Sequence, residues 1–274
     1  NDLIEFSARA FLTNGDNALY FKHGFAIYPL AILATGADLR ELPVTENYHQ
    51  DLTSVINFVD KKSKVIFIAS PNNPTGSANT FSEIEAMLND LPNDLIVFLD
   101  QAYFEYIEDE QYKLPFDLID KYQNLIISRS FSKAHGLAAY RLGYCISSQK
   151  IADYLNRVRQ PFNVSSFALE AGIASLNDKE HLRKSVDLNQ REKNKLMQFF
   201  KKENIEYLPT QGNFFSFSLD TDSDETFEAF LNEGIILRSL KSYNMDRFVR
   251  VSIGQELEND AFIEAIKKIK GSRN

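Results

Sequence analysis

Three short apolar runs constrain this chain more than any other feature: Val-Ile-Phe-Ile-Ala-Ser at 65–70, Leu-Ile-Val-Phe-Leu-Asp at 95–100 and Leu-Ile-Ile-Ser-Arg-Ser at 125–130. Runs of this length without polar alternation read as strands buried on both faces, the habit of parallel sheets covered by helices. They start 30 residues apart, at 65, 95 and 125, which is the length of a strand plus its crossover helix. Crossover helices are predicted over 82–91, opened by a Ser cap with acidic residues in the next turn, and over 116–122. A fourth run at 142–148 follows after only eleven residues, too few for an ordinary parallel crossover, and is expected to be antiparallel. Upstream, strands are predicted at 18–21 and 38–42 around a helix at 28–35.

Beyond residue 150 the pattern changes. Helices are predicted over 166–176 and 178–203, the second with Leu182, Val186, Leu196 and Phe199 on one apolar face. Strand 213–219, helix 224–232, strands 235–240 and 248–253 and helix 257–270 then give a mixed α+β layout. The expectation is an α/β fold with a large domain over 1–155 and a small C-terminal α+β domain over 156–274. A chain of 274 residues with 44% apolar composition can supply both cores.

The formal net charge of −8, with both signs mixed along the chain, argues against a nucleic-acid binder or a basic membrane-surface protein. No run approaches the ~18 uninterrupted apolar residues of a membrane helix. The single cysteine, Cys145, excludes an intrachain disulfide framework and suits a reducing compartment, so a cytoplasmic location is expected. His23, His49, His135 and His181 lack ligand spacing, and no metal is expected.

In open α/β sheets ligands bind outside the carboxyl ends of the strands. Here those ends carry Ser70-Pro71-Asn72-Asn73-Pro74-Thr75-Gly76, Asp100-Gln101-Ala102-Tyr103 and Ser130-Phe131-Ser132-Lys133, with Arg141 eight residues past the lysine. An amide, a carboxylate, a phenol, hydroxyls, an amine and a guanidinium on one sheet edge match the needs of pyridoxal phosphate. A lysine holds its aldehyde as a Schiff base, an aspartate keeps its ring nitrogen protonated, and hydroxyls with a cation hold its phosphate.

These motifs, with Ser-x-Ser-Lys-Ala-x-Gly-Leu-Ala-x-x-Arg-x-Gly-Tyr over 130–144, resemble the class I/II aminotransferases of fold type I, and among these most nearly the histidinol-phosphate aminotransferases. The resemblance runs the whole length, through Gln160-Pro161-Phe162-Asn163, Gly212-Asn213-Phe214, Gly234-Ile235-Ile236-Leu237-Arg238 and Val249-Arg250-Val251. It implies a Schiff base on Lys133, which also moves the proton, and pairing of Asp100 with the ring nitrogen. Asn73 and Tyr103 would bond the ring's phenolic oxygen, Tyr28 would stack on the ring, and Ser130, Ser132 and Arg141 would bind the phosphate. Arg250 would grip the substrate carboxylate, and Arg238 would help at the phosphate-bearing end of histidinol phosphate. The resemblance further implies an amino donor and a 2-oxo acid acceptor as substrates, a homodimer, and a place in histidine biosynthesis.

Departures from the family pattern are Gln101 for Glu, His135 for an aromatic and Ala139 for Gly. Asn1 aligns with the last residue of the family's phosphate-cradling loop, so the N-terminal segment ahead of it is expected to be missing from these 274 residues. The same fold also houses aromatic amino-acid aminotransferases and phosphothreonine-type decarboxylases, and a catalytically idle cofactor-binding or dimerisation module is the alternative of another class.

Overall fold

A computed structural model of the chain describes residues 1–114 and 116–271. Strands β1 (Asn17–Phe21), β2 (Asp38–Leu42), β3 (Ser63–Ala69), β4 (Ile96–Asp100), β5 (Leu125–Ser130) and β6 (Gly143–Ser147) form one sheet in the order β2-β1-β3-β4-β5-β6. All neighbours are parallel except β5 and β6, which are antiparallel, as the short 130–142 connection demands.

Because successive side chains on a strand point to opposite faces, each continuous apolar run feeds two cores. Ile66, Ile68, Val97, Leu99 and Ile127 pack on one face with Ile84, Met87 and Leu88 of α3 (Phe81–Asp90) and Leu118 and Ile119 of α4 (Leu118–Lys121). Val65, Phe67, Phe98 and Ile126 pack on the other with α1 (Asp2–Phe11), α2 (Ile27–Leu33) and α5 (Gln149–Val158). Each such fully buried side chain stabilises the fold by about 1.5–3 kcal/mol relative to exposure. The expected boundary after residue 155 crosses α5, whose Ile151 and Leu155 lie in this second core.

Helix α3 opens on Thr80, two residues before the Ser82 cap that its sequence suggests, because Thr80 and Glu83 cap each other. The Glu83 N–H donates to Thr80 Oγ1 at 3.2 Å, and the Thr80 N–H donates to Glu83 Oε2 at 2.7 Å. The crossover expected over 116–122 shrinks to the single turn of α4.

After α6 (Ser166–Asn177) and α7 (Lys179–Lys202), strands β7 (Glu206–Tyr207), β8 (Phe214–Ser218), β9 (Arg238–Ser239) and β10 (Val249–Ser252) form an antiparallel sheet in the order β7-β8-β10-β9. Helices α8 (Ser223–Asn232) and α9 (Glu256–Gly271) cover it. Phe215 and Phe217 of β8 meet Phe200 of α7 with ring centroids 5.4 Å apart, and Phe230 and Phe262 complete this aromatic core. The strand expected over 235–240 pairs at only two positions, because Gly234 (φ 78°) turns the chain just before it. On α7, Leu196 is buried as expected, while Leu182 and Val186 pack on Tyr103, Tyr106 and Phe214.

The two sheets meet at the loop after β3. Gly76 (φ 79°) lies so close to Thr210 that a Cβ there would stand 2.4 Å from its Oγ1 and 2.9 Å from its Cα. A side chain is excluded both by the left-handed backbone and by the space. Across the same contact the Gln211 N–H donates to the Gly76 carbonyl at 2.9 Å. Among the described residues no helix is long and apolar enough to cross a membrane.

Candidate active site

At the carboxyl ends of β3, β4 and β5 a cavity of about 650 Å³ opens, large enough for a cofactor and part of a substrate. Of the sequence-selected residues, Asn1, Tyr28, Asn73, Asp100, Tyr103, Ser130, Ser132, Lys133 and Arg141 all line it. Arg250 is bonded to its wall, and Arg238 lies outside it.

Asp100, the last residue of β4, accepts hydrogen bonds from Tyr28 Oη at 3.1 Å, the Ala102 N–H at 3.0 Å and Ser128 Oγ at 3.4 Å. Burial pushes its carboxyl above the usual range, opposed by the Tyr28 and Ala102 bonds. No lysine or arginine is hydrogen-bonded or ion-paired to it among the described residues, and its hydrogen bonds come from neutral donors. It is a place for a cationic N–H.

Lys133, in the turn after β5, holds its Nζ 5.0 Å from the centre of the Tyr103 ring. Burial pushes its amine below the usual lysine range, and the Arg250 and Arg141 cations add to this while Asp100 opposes it. A lysine so placed carries a free amine at lower pH than one in water. Tyr103 packs edge-on against Phe214, and burial pushes its hydroxyl up to about 12, so it stays a donor.

Asn73, only 9% exposed, is gripped by Arg250 of β10, whose Nη1 donates to Asn73 Oδ1. A guanidinium can only donate, so the amide oxygen must face it. That leaves the Asn73 Nδ2 donors without a protein partner among the described residues, at the wall of the cavity. Arg250 also lies 5.2 Å from the Phe214 ring centre.

The anion end is built by the N-terminus of α1, with Asn1 at its cap position, together with Ser130, Ser132 and Arg141. Helix N-termini attract negative charge through their unpaired N–H groups. Ser130 Oγ accepts from the Ser132 N–H at 3.1 Å. Arg141 sits in the left-handed region (φ 53°) at the end of a short 3-10 turn, with Nη1 donating to the Ala138 carbonyl at 2.8 Å.

One residue stands differently from the expectation. The Tyr28 ring is not free to stack on a ligand: it is 1% exposed and lies against Phe67, with centroids 5.3 Å apart and planes 13° from parallel. Tyr28 reaches the cavity through its hydroxyl and Asp100. Phe25, half-buried and edge-on to Tyr28 at 5.9 Å, also lines the cavity. It lies before α2 begins, and the only sequence signal for it is the Gly24-Phe25 pair ahead of the helix. Arg238 is exposed and stands beside Arg250 on the neighbouring strand, in direct register with it. Gln101 is fully buried and accepts from Arg129 Nε at 3.1 Å, so this departure serves the guanidinium packed over Phe104, 3.2 Å from its ring centre.

The donor set fits pyridoxal phosphate: a desolvated carboxylate for a protonated ring nitrogen, an oriented amide N–H and a phenol for an anionic ring oxygen, a low-pKa amine for the aldehyde, and a helix N-terminus with hydroxyls for the phosphate.

Residues 1–266 match the family described as aminotransferase class I and II. The chain is 42% identical over 269 residues to histidinol-phosphate aminotransferase 2 of Haemophilus influenzae, covering 98% of this chain and 73% of that protein. It is 40% identical over 271 residues to histidinol-phosphate aminotransferase 1 of Idiomarina loihiensis, covering 99% and 74%. The solved histidinol-phosphate aminotransferase of Clostridium acetobutylicum superposes with a TM-score of 0.91 at 23% identity, covering 99% of this chain and 81% of that one. That of Sinorhizobium meliloti in complex with pyridoxal-5'-phosphate gives 0.91 at 23%, covering 99% and 75%. These two structures share the fold. Motifs, cavity and relatives agree, and the chain belongs to the class I and II aminotransferases, enzymes that work with pyridoxal phosphate.

Proposed function

We propose that this enzyme moves an amino group between histidinol phosphate and 2-oxoglutarate, with glutamate as the other amino compound, in histidine biosynthesis. The observation that carries the choice of substrate is the direct pairing of Arg250 with Arg238 on neighbouring strands beside the cavity. Like charges facing each other across a sheet are destabilising, and an anion between them relieves the repulsion. Arg250, already at the cavity wall, suits a carboxylate next to the reacting carbon. Histidinol phosphate carries its anion further out and with more charge, and the second arginine in the row suits that longer reach. Relatives at 40–42% identity named histidinol-phosphate aminotransferase support the same reading.

Pyridoxal phosphate, when bound, supplies the aldehyde that takes the substrate amine and the ring that delocalises the electron pair left on its carbon. Lys133 Nζ, held partly desolvated beside two arginines, is the base that takes the proton from that carbon and returns it. Asp100, held in place by Tyr28, would keep a proton on the ring nitrogen, and Asn73 Nδ2, freed by the Arg250 bond to its amide oxygen, would bond the ring oxygen with Tyr103 Oη. Asn1, Ser130, Ser132 and Arg141, which line the same end of the cavity, would hold the phosphate. The large cofactor-binding domain, with α5 as its last helix, and the small C-terminal domain would thus share one site.

The exposed apolar face of α6 and the loop before it, with Phe162 98% and Phe167 80% exposed, supports a homodimer. A cytoplasmic location rests on the single reduced cysteine. Turnover of histidinol phosphate and phenylalanine by the parent and Arg238→Ala tests the substrate. The variant is expected to lose kcat/KM only on the phosphorylated substrate, and equal losses on both would count against it. Lys133→Ala is expected to lose the absorbance of the lysine-bound cofactor.

A further inference from the structure

We infer that Ser216 is a positioning residue for the cofactor amide, working through the turn that carries Asn73. Strand β8 reads Phe-Phe-Ser-Phe-Ser, and Ser216, 1% exposed, interrupts an otherwise aromatic stretch. Its Oγ donates to the Pro74 carbonyl at 2.5 Å. Ser216 is also the direct register partner of Arg250, whose guanidinium holds Asn73. Cross-strand neighbours on one face of the small sheet therefore hold two consecutive residues of the large sheet's loop, one by its side chain and the other by its backbone.

These bonds have different consequences. The Arg250 bond chooses which end of the Asn73 amide faces the cavity, but a guanidinium on a long side chain can follow a moving partner. The Ser216 hydroxyl sits on a single Cβ, so its bond admits little play and fixes the Asn73-Pro74 backbone relative to β8. On the far side the turn is tied by Asn72, whose Nδ2 donates to the His23 carbonyl at 3.0 Å and Thr75 Oγ1 at 2.9 Å. Without Ser216, the nearest ties left to Asn73 would be the Asn72 bonds, the compliant Arg250 bond and, three residues on, the backbone bond from Gln211 to Gly76.

The inference rests on the reading of Asn73 as the donor to the ring oxygen. Its test is the pH titration of the lysine-bound cofactor's absorbance in the loaded enzyme, together with hydrogen exchange of segment 72–77 in the cofactor-free protein. Asn73→Ala sets the direction and size of the titration shift when the amide is lost. Ser216→Ala is expected to shift the midpoint in the same direction by a sizeable fraction of that, to speed exchange of segment 72–77, and to lower kcat/KM about 5- to 10-fold. Ser216→Thr, which keeps the hydroxyl, is expected to restore the parent midpoint. A parent-like midpoint in Ser216→Ala alongside a shifted one in Asn73→Ala overturns the inference and leaves the Asn73 reading standing. No shift in Asn73→Ala removes that reading and the inference with it. If Ser216→Ala does not fold, Ser216→Cys, similar in size but a weak donor, carries the same expectations.

Discussion

Replacing Asp100 by asparagine separates two free energies that the carboxylate sets against each other. In the cofactor-free protein the charge is held by the Tyr28 hydroxyl at 3.1 Å, the Ala102 N–H at 3.0 Å and the more distant Ser128 hydroxyl, and burial pushes its pKa above the ordinary 3.8. A carboxyl with a raised pKa in the folded state keeps a proton that the unfolded chain has released. Stability is therefore lost as pH climbs from the ordinary carboxylate value through the raised one, and stays lost above it. An asparagine removes that loss: its oxygen still accepts from the Ala102 N–H, and the Tyr28 hydroxyl turns to accept from the new NH₂. The cofactor-free variant should then be at least as stable as the parent at neutral pH, with its advantage vanishing in acid. With pyridoxal phosphate the sign reverses. The charge-assisted bond to the ring nitrogen is worth about 1.5–3 kcal/mol, so the cofactor should bind roughly 10- to 150-fold more weakly. Urea unfolding with and without cofactor, in acid and near neutrality, reads both effects. A cofactor-free variant that is less stable than the parent by more than about 1 kcal/mol at neutral pH, a sizeable share of typical stability, would refute the reasoning.

Gly76→Ala meets a left-handed backbone and the Thr210 Cα at 2.9 Å, so it should cost about 2–5 kcal/mol in urea unfolding, and a loss within experimental error would show that the two loops separate freely. Thr80→Ala removes the reciprocal cap of α3, far from the cavity, and should lower stability by about 0.5–2 kcal/mol with kcat unchanged. Arg250→Gln takes away one of the cations that hold the Lys133 amine down, so the pH midpoint for reaction of Lys133 with added pyridoxal phosphate should move up. An unmoved midpoint would mean that the Arg250 charge is not felt at Nζ.

What could be read in the sequence follows from what is local. The 30-residue spacing of the apolar runs locates β3, β4 and β5 within two residues, and the short connection forces β6 antiparallel, because strand burial and crossover length leave marks within one segment. Lys133, Asp100 and Asn73 stand out because all follow such runs. Helices α1 and α5 lie outside the sequence expectation although both are ten-residue amphipathic helices, whose apolar faces pack on each other and on the sheet. Tyr28 and Phe25 lie three residues apart and both line the cavity, but that the Tyr28 ring is covered by Phe67 is a tertiary matter. The bond between Arg250 and Asn73 joins residues 177 positions apart, and no spacing rule reaches that far.

The close approach of Gly76 to Thr210 also acts as a fulcrum. Any tilt of the small sheet about that contact displaces each strand in proportion to its distance from β8, and strands lie about 4.8 Å apart. With β10 next to β8 and β9 beyond it, Arg238 sweeps roughly twice the arc of Arg250. One small rotation would shift the inner arginine, tied to Asn73, half as far as the outer one, so the reach for a long anion would change more than the grip on a short one.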